Sequence, residues 1–139
     1  MTSFVVYASS TDSKNIFTDN NPNDFIVQLD RNINLCAESY VELLDIRCKI
    51  NERTKEEIYI FSDVCQESFL YGKLSPVLRV FQLPGLKVSH TEFVRPIKLK
   101  TIQGQLNRFR IYIKPRETTS PPLSLSELNV TLRFHNVSY

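Results

Sequence analysis

Apolar and polar side chains alternate with a period of two along most of this chain, the signature of strands that bury one face and wet the other. Residues 23–30 place Phe25, Val27 and Leu29 on one side, and Asp24, Gln28 and Asp30 on the other. In residues 106–114, Phe109, Ile111 and Ile113 oppose Arg108, Arg110 and Lys114. The cleanest case is 128–135, where Leu128, Val130, Leu132 and Phe134 point one way and Asn129, Thr131, Arg133 and His135 the other. Five further segments are rich in β-branched and aromatic residues: 4–7, 40–50, 58–64, 77–83 and a weaker one at 92–99. That predicts eight strands. A helix-permissive composition occurs only at 51–57, which is too short to matter.

Breakers separate these segments: the Asn- and Asp-rich loop 18–24, residues 51–54, Tyr71-Gly72-Lys73, Pro84-Gly85, Gln103-Gly104-Gln105 and the stretch 115–126. The connections 9–23 and 115–127 are too long for tight hairpins. Long connections are what a winding needs when a strand crosses from one sheet to another. Two amphipathic sheets bury their apolar faces by stacking, so the expectation is an all-β, eight-stranded single jelly-roll β-sandwich over residues 1–139, with one domain and no internal repeat. An immunoglobulin-type sandwich is disfavoured, because there is no tryptophan and no evident inter-sheet cysteine pair.

Composition narrows the function. The 139 residues carry 17 Lys and Arg against 15 Asp and Glu, a net charge of +2 with the signs interspersed. Nucleic-acid binding asks for clustered cations, and the densest basic stretch, 95–116, spreads its charges along strands, so no nucleic-acid partner is expected. No apolar run approaches the ~18 residues of a membrane span. Cys36, Cys48 and Cys65 are odd in number and fit neither a disulfide framework nor a zinc pair, which points to a reducing compartment. Residues 1–10 lack the features of a signal peptide, and the sequons at Asn129 and Asn136 are read as chance.

The sequence holds no nucleophile elbow, no His-Glu-x-x-His, no Cys-x-x-Cys and no phosphate-binding glycine loop. Neither catalytic residues, nor a cofactor, nor a metal is therefore expected. The 18–24 loop reads as Asx turns in preference to a calcium site, and His135 as a plain surface residue. A cupin-like enzyme would need more histidines than the two present. Asp63 and Arg79 are positioned to form a cross-strand pair, and arginine is enriched at subunit contacts. Together with Arg95 and Arg110 they form the candidate assembly-interface set.

The run Ser10-Thr-Asp-Ser-Lys-Asn-Ile-Phe17, the Asn-rich turn, the strand Asp24–Leu29 and Tyr40-Val-Glu-Leu-Leu-Asp-Ile46 resemble the opening of penton-like minor capsid proteins of adintoviruses and the related Polinton or Maverick elements. The resemblance continues in order through Ile58–Asp63, Pro76–Val80, Phe93–Ile97 and Leu128–Phe134, with Tyr40 standing near where the family has tryptophan. Each motif is weak and their collinearity is the signal. The resemblance implies a single jelly roll that forms a homopentamer at the five-fold vertex of an icosahedral capsid, beside a double-jelly-roll major capsid protein. It also implies a virion component assembled inside the host cell. The alternative is a lectin-like or receptor-attachment module using Tyr7, Tyr40, Tyr59, Tyr71 or Tyr112 with loop 18–24.

Overall fold

The computed structural model describes residues 2–116 and 123–138. Ten strands and one helical turn follow in order: β1 (Thr2–Ser9), α1 (Ser10–Ser13), β2 (Asp24–Ile50), β3 (Glu57–Ser62), β4 (Ser68–Leu70), β5 (Lys73–Ser75), β6 (Val77–Gln82), β7 (Val88–Glu92), β8 (Leu99–Lys100), β9 (Gly104–Pro115) and β10 (Leu125–Ser138). β2 is a single 27-residue strand that joins the segments predicted at 23–30 and 40–50. Its first part pairs with β9 through residues 24–35, and its second runs between β10 and the short pair β7 and β8. At the bend, Ser39 is 1% exposed; its hydroxyl accepts the Cys36 N–H at 2.9 Å and donates to the Asn136 carbonyl at 2.6 Å.

This bend folds the sheet into two layers. One has the order β1-β10-β2-β7/β8 and the other β2-β9-β3-β6, all antiparallel. The last strand lies between the first strand and the second part of β2, while the first part of β2 leads the opposite layer. That is jelly-roll winding. The alternation read from sequence sets the core: Phe25, Phe109, Ile111, Leu128, Leu132 and Phe134 are all 0–1% exposed. Phe109 meets Phe134 edge-on across the layers, with centroids 6.0 Å apart.

Three local expectations are corrected. The strand predicted at 92–99 is displaced: pairing covers Val88–Glu92 and Leu99–Lys100, because residues 45–49 of β2 select the first and Pro96 has no N–H to offer a ladder. Sequence also missed the β4–β5 hairpin, whose turn holds Tyr71 and Gly72 at φ 47° and 83°, both left-handed as a two-residue type I′ loop requires. Residues 51–57 form no helix, as their shortness implied, whereas the single turn α1 was not foreseen; Ser9 caps it by accepting the Asp12 N–H at 3.3 Å. Of the long connection 115–127, residues 117–122 fall outside the described residues.

Candidate functional site

The four sequence-predicted residues separate into two pairs. Arg110 forks onto Asp24, with Nε–Oδ1 at 2.7 Å and Nη2–Oδ2 at 2.6 Å, and its backbone N–H donates to Asp63 Oδ1 at 2.8 Å. Pairing between β3 and β9 stops at Ser62 and Ile111, so the Asp63 carboxylate takes the next free N–H along β9. Hydrogen bonding to Asp24 raises the Arg110 pKa further, keeping the guanidinium charged. The predicted Asp63–Arg79 pair does not form. Arg79 lies opposite Ile60, on the inward register of an edge strand, and a bulge follows between Ile60 and Phe61. Its guanidinium stacks 4.1 Å from the centre of the Phe93 ring and donates to the Arg95 carbonyl at 3.4 Å.

That contact closes one flank of the sandwich. β6 is the terminal strand of its layer, and β7 and β8 are the terminal strands of theirs. Phe93 fills the gap between them, meeting Phe81 edge-on at 5.8 Å, while its N–H donates to the Leu44 carbonyl at 2.9 Å. The neighbouring side chain, Val94, is 93% exposed. Ile97, three residues further along the same segment, is exposed too, and Arg79 and Arg95 flank that segment. Single exposed apolar residues are ordinary, whereas a group of them marks a contact surface.

On the opposite flank the terminal strands are β1 and the first part of β2. They leave a groove of about 490 Å³ with an apolar floor of Phe4, Val6, Val27, Leu29 and Ile33. Tyr7 and Asp30 stand at its lips.

Three of the five tyrosines considered for ligand stacking converge on the outer face of the β9 layer. Phe61 and Tyr112 stack at 4.9 Å, Arg110 lies 4.2 Å over Tyr112, Tyr59 contacts both Phe61 and Tyr71, and Arg116 lies 4.6 Å over Tyr71. Burial raises the Tyr59 and Tyr112 pKa values, opposed by Arg116 and Arg110 respectively. These rings are therefore occupied by one another and by arginine. Tyr40 stacks on His135 at 4.2 Å, and Tyr7 is 81% exposed.

His135 corrects a second expectation. It faces outward but is not a plain surface residue: Nε2 is 2.5 Å from Glu42 Oε1, Nδ1 is 3.0 Å from the Ser3 hydroxyl, and its side chain is only 18% exposed. In the 18–24 loop, Asn20 holds both the N–H and the carbonyl of Ile26, and Asn21 Oδ1 accepts the Asn23 N–H, so the asparagines build turns as expected. No group of three or more metal-ligating side chains occurs among the described residues.

Cys36, Cys48 and Cys65 are all unpaired. Burial raises the Cys48 thiol, and pushes Cys65 from an ordinary 9.0 up to about 12. With the folded value raised, the stabilisation from keeping Cys65 protonated is complete below pH 9 and is lost as pH climbs towards 12. At pH 8, iodoacetamide is expected to modify half-buried Cys36 first and Cys65 only after urea unfolding, as peptide mass spectrometry will report. Rapid native labelling of Cys65 would contradict the packing.

The fold makes this chain an all-β jelly-roll protein. No family model and no curated protein matches it. Several solved structures share the outline at low similarity. The Drosophila NLP-core, whose structure is described in terms of pentamer formation and histone binding, is 4% identical over 96% of this chain and 98% of its own, with a TM-score of 0.35. The family 32 carbohydrate-binding module of C. perfringens NanJ, solved with galactose, is 14% identical over 93% of each chain at a TM-score of 0.33. The VP2 subviral particle of infectious bursal disease virus is 8% identical over 95% of this chain and 32% of its own, at 0.35.

Proposed function

We propose that the chain is a structural assembly protein: a penton-like single jelly roll that closes into a homopentamer at the five-fold vertex of an icosahedral capsid, beside a double-jelly-roll major capsid protein. It acts through shape and not as an enzyme, and it belongs to the virion. The observation that carries this reading is the exposed segment after β7 at the sandwich edge, where Val94 is 93% and Ile97 49% exposed and Arg79 stacks on Phe93. A stable contact between copies buries on the order of 1,600 Å², and an apolar centre with an arginine-rich rim is the usual composition of one. The collinear resemblance to penton-like proteins supplies the expected copy number. A carbohydrate-binding role is less well served, because Tyr59, Tyr71 and Tyr112 already contact each other or an arginine.

Size-exclusion chromatography with light scattering is expected to give a species near five times the 16.2 kDa chain mass. Particle images of that fraction should show a five-fold ring. A 16.2 kDa species persisting up to ~50 µM, roughly the range in which specific interfaces form, would overturn the proposal.

A further inference from the structure

We infer that the two flanks of the sandwich are the two halves of one interface, and that the occupant of the β1/β2 groove is the Val94 flank of a second copy of this chain. The inference rests on the assembly reading and adds the surfaces that do the assembling. The two flanks differ in form. One presents a knob, Val94 at 93% exposure, the other a groove of about 490 Å³ floored by Phe4, Val6, Val27, Leu29 and Ile33. Complementary surfaces on opposite sides of a molecule make a heterologous, head-to-tail contact, and such contacts generate rings when the rotation closes.

The knob is held in place before any partner arrives. Phe93, one residue earlier, is fixed by Phe81, by the Arg79 guanidinium and by its N–H bond to the Leu44 carbonyl. Little conformational freedom is then lost when Val94 is buried, which is how a single anchor becomes effective. Charge agrees with the same pairing. Arg95 follows the knob and is exposed, and among the described residues its guanidinium has no bonded partner. At the lip of the groove, the Asp30 side chain is 89% exposed, with only its neighbour Arg31 at 3.4 Å. Arg31 lines the same lip, and its pair with Asp30 is exposed and therefore weak, so seating Val94 in the groove brings Arg95 to a carboxylate that can take a second guanidinium. Both flanks are also bounded by terminal strands with unpaired backbone groups, which a neighbouring copy covers.

Val94→Asp and Tyr7→Asp each place a charge in the contact, and both positions are so exposed that neither change disturbs the folded chain. Each variant alone is expected to be a monomer where the unmodified chain assembles, with the concentration for half-assembly raised at least ~30-fold. The decisive sample is an equimolar mixture of the two. Each variant keeps one intact flank, so a head-to-tail contact yields a dimer of one of each and nothing larger. Variants that assemble like the unmodified chain would overturn the inference and leave the assembly reading standing. A mixture that stays monomeric while both variants have lost assembly would equally overturn it, since it denies that the flanks complement one another. An unmodified chain that is itself monomeric would remove the assembly reading and this inference with it.

Discussion

Replacing Phe134 with alanine is expected to lower the unfolding free energy by about 4 kcal/mol and to shift the thermal midpoint down by more than ~8 °C. Phe134 is 0% exposed at the centre of β10. Its ring stacks on Phe4 of β1 at 5.6 Å and meets Phe109 of β9 edge-on at 6.0 Å, so one side chain joins the terminal strand, its neighbour and the opposite layer. Removing it costs the transfer of the ring plus a cavity that three strands of a rigid sandwich cannot close. Urea unfolding followed by circular dichroism measures the loss, with the slope of the transition unchanged if the native surface is preserved. Phe134→Leu keeps much of the volume and should lose far less. Val88→Ala, at a position 66% exposed, should be nearly neutral. A loss under 1 kcal/mol for Phe134→Ala would mean that the two layers do not meet at this ring.

The inward faces of Phe134 and its neighbours were legible in the sequence because a period of two leaves each residue only one face, whatever the strand pairs with. Leu128, Val130, Leu132 and Phe134 are accordingly 0–2% exposed, and Arg108, Arg110 and Lys114 face solvent. Partner choice was not legible. Asp24 and Arg110 are 86 residues apart, and both read only as outward polar positions until the β2–β9 register sets Ile26 opposite Arg110. The continuity of β2 was hidden for another reason: Asp30, Arg31 and Asn32 carry no apolar signal where the β2–β9 ladder shifts register between Gln28 and Ile33. The shift of the weak strand to 88–92 follows the same logic, since Val-Ser-His-Thr-Glu has little strand character of its own and is ordered by residues 45–49. Of the candidate interface set, Arg79 and Arg95 were singled out only as arginines, a residue type enriched at subunit contacts. The feature that pairs them was not, because a guanidinium over Phe93 and a carbonyl acceptor on Arg95 depend on where an irregular segment crosses an edge strand.

The pair Glu42–His135 carries the second large expected effect. Glu42 is 7% exposed and 93 residues distant from His135, and the imidazole is its one bonded partner among the described residues. Tyr40 covers the imidazole face at 4.2 Å, and the Lys98 ammonium lies 5.2 Å from the centre of the Tyr40 ring. A carboxylate removed from water in this way is tolerable only while it is paired. When Nε2 donates to Glu42, Nδ1 is left as an acceptor and the Ser3 hydroxyl donates to it, so the chain of bonds ties β1 to β10 and β10 to β2. His135→Ala strands the carboxylate and is expected to cost about 3 kcal/mol. Glu42→Gln, which leaves a neutral amide able to bond the ring, should cost nearer 1 kcal/mol. The discriminating measurement is the double variant Glu42→Leu with His135→Leu. Apolar side chains of similar size satisfy each other, so it should be more stable than His135→Ala despite carrying two changes. Strict additivity of Glu42→Leu and His135→Leu, each measured alone and together in urea unfolding, would show that the Glu42–His135 hydrogen bond does not form, and that His135 contributes to stability only through its stack on Tyr40.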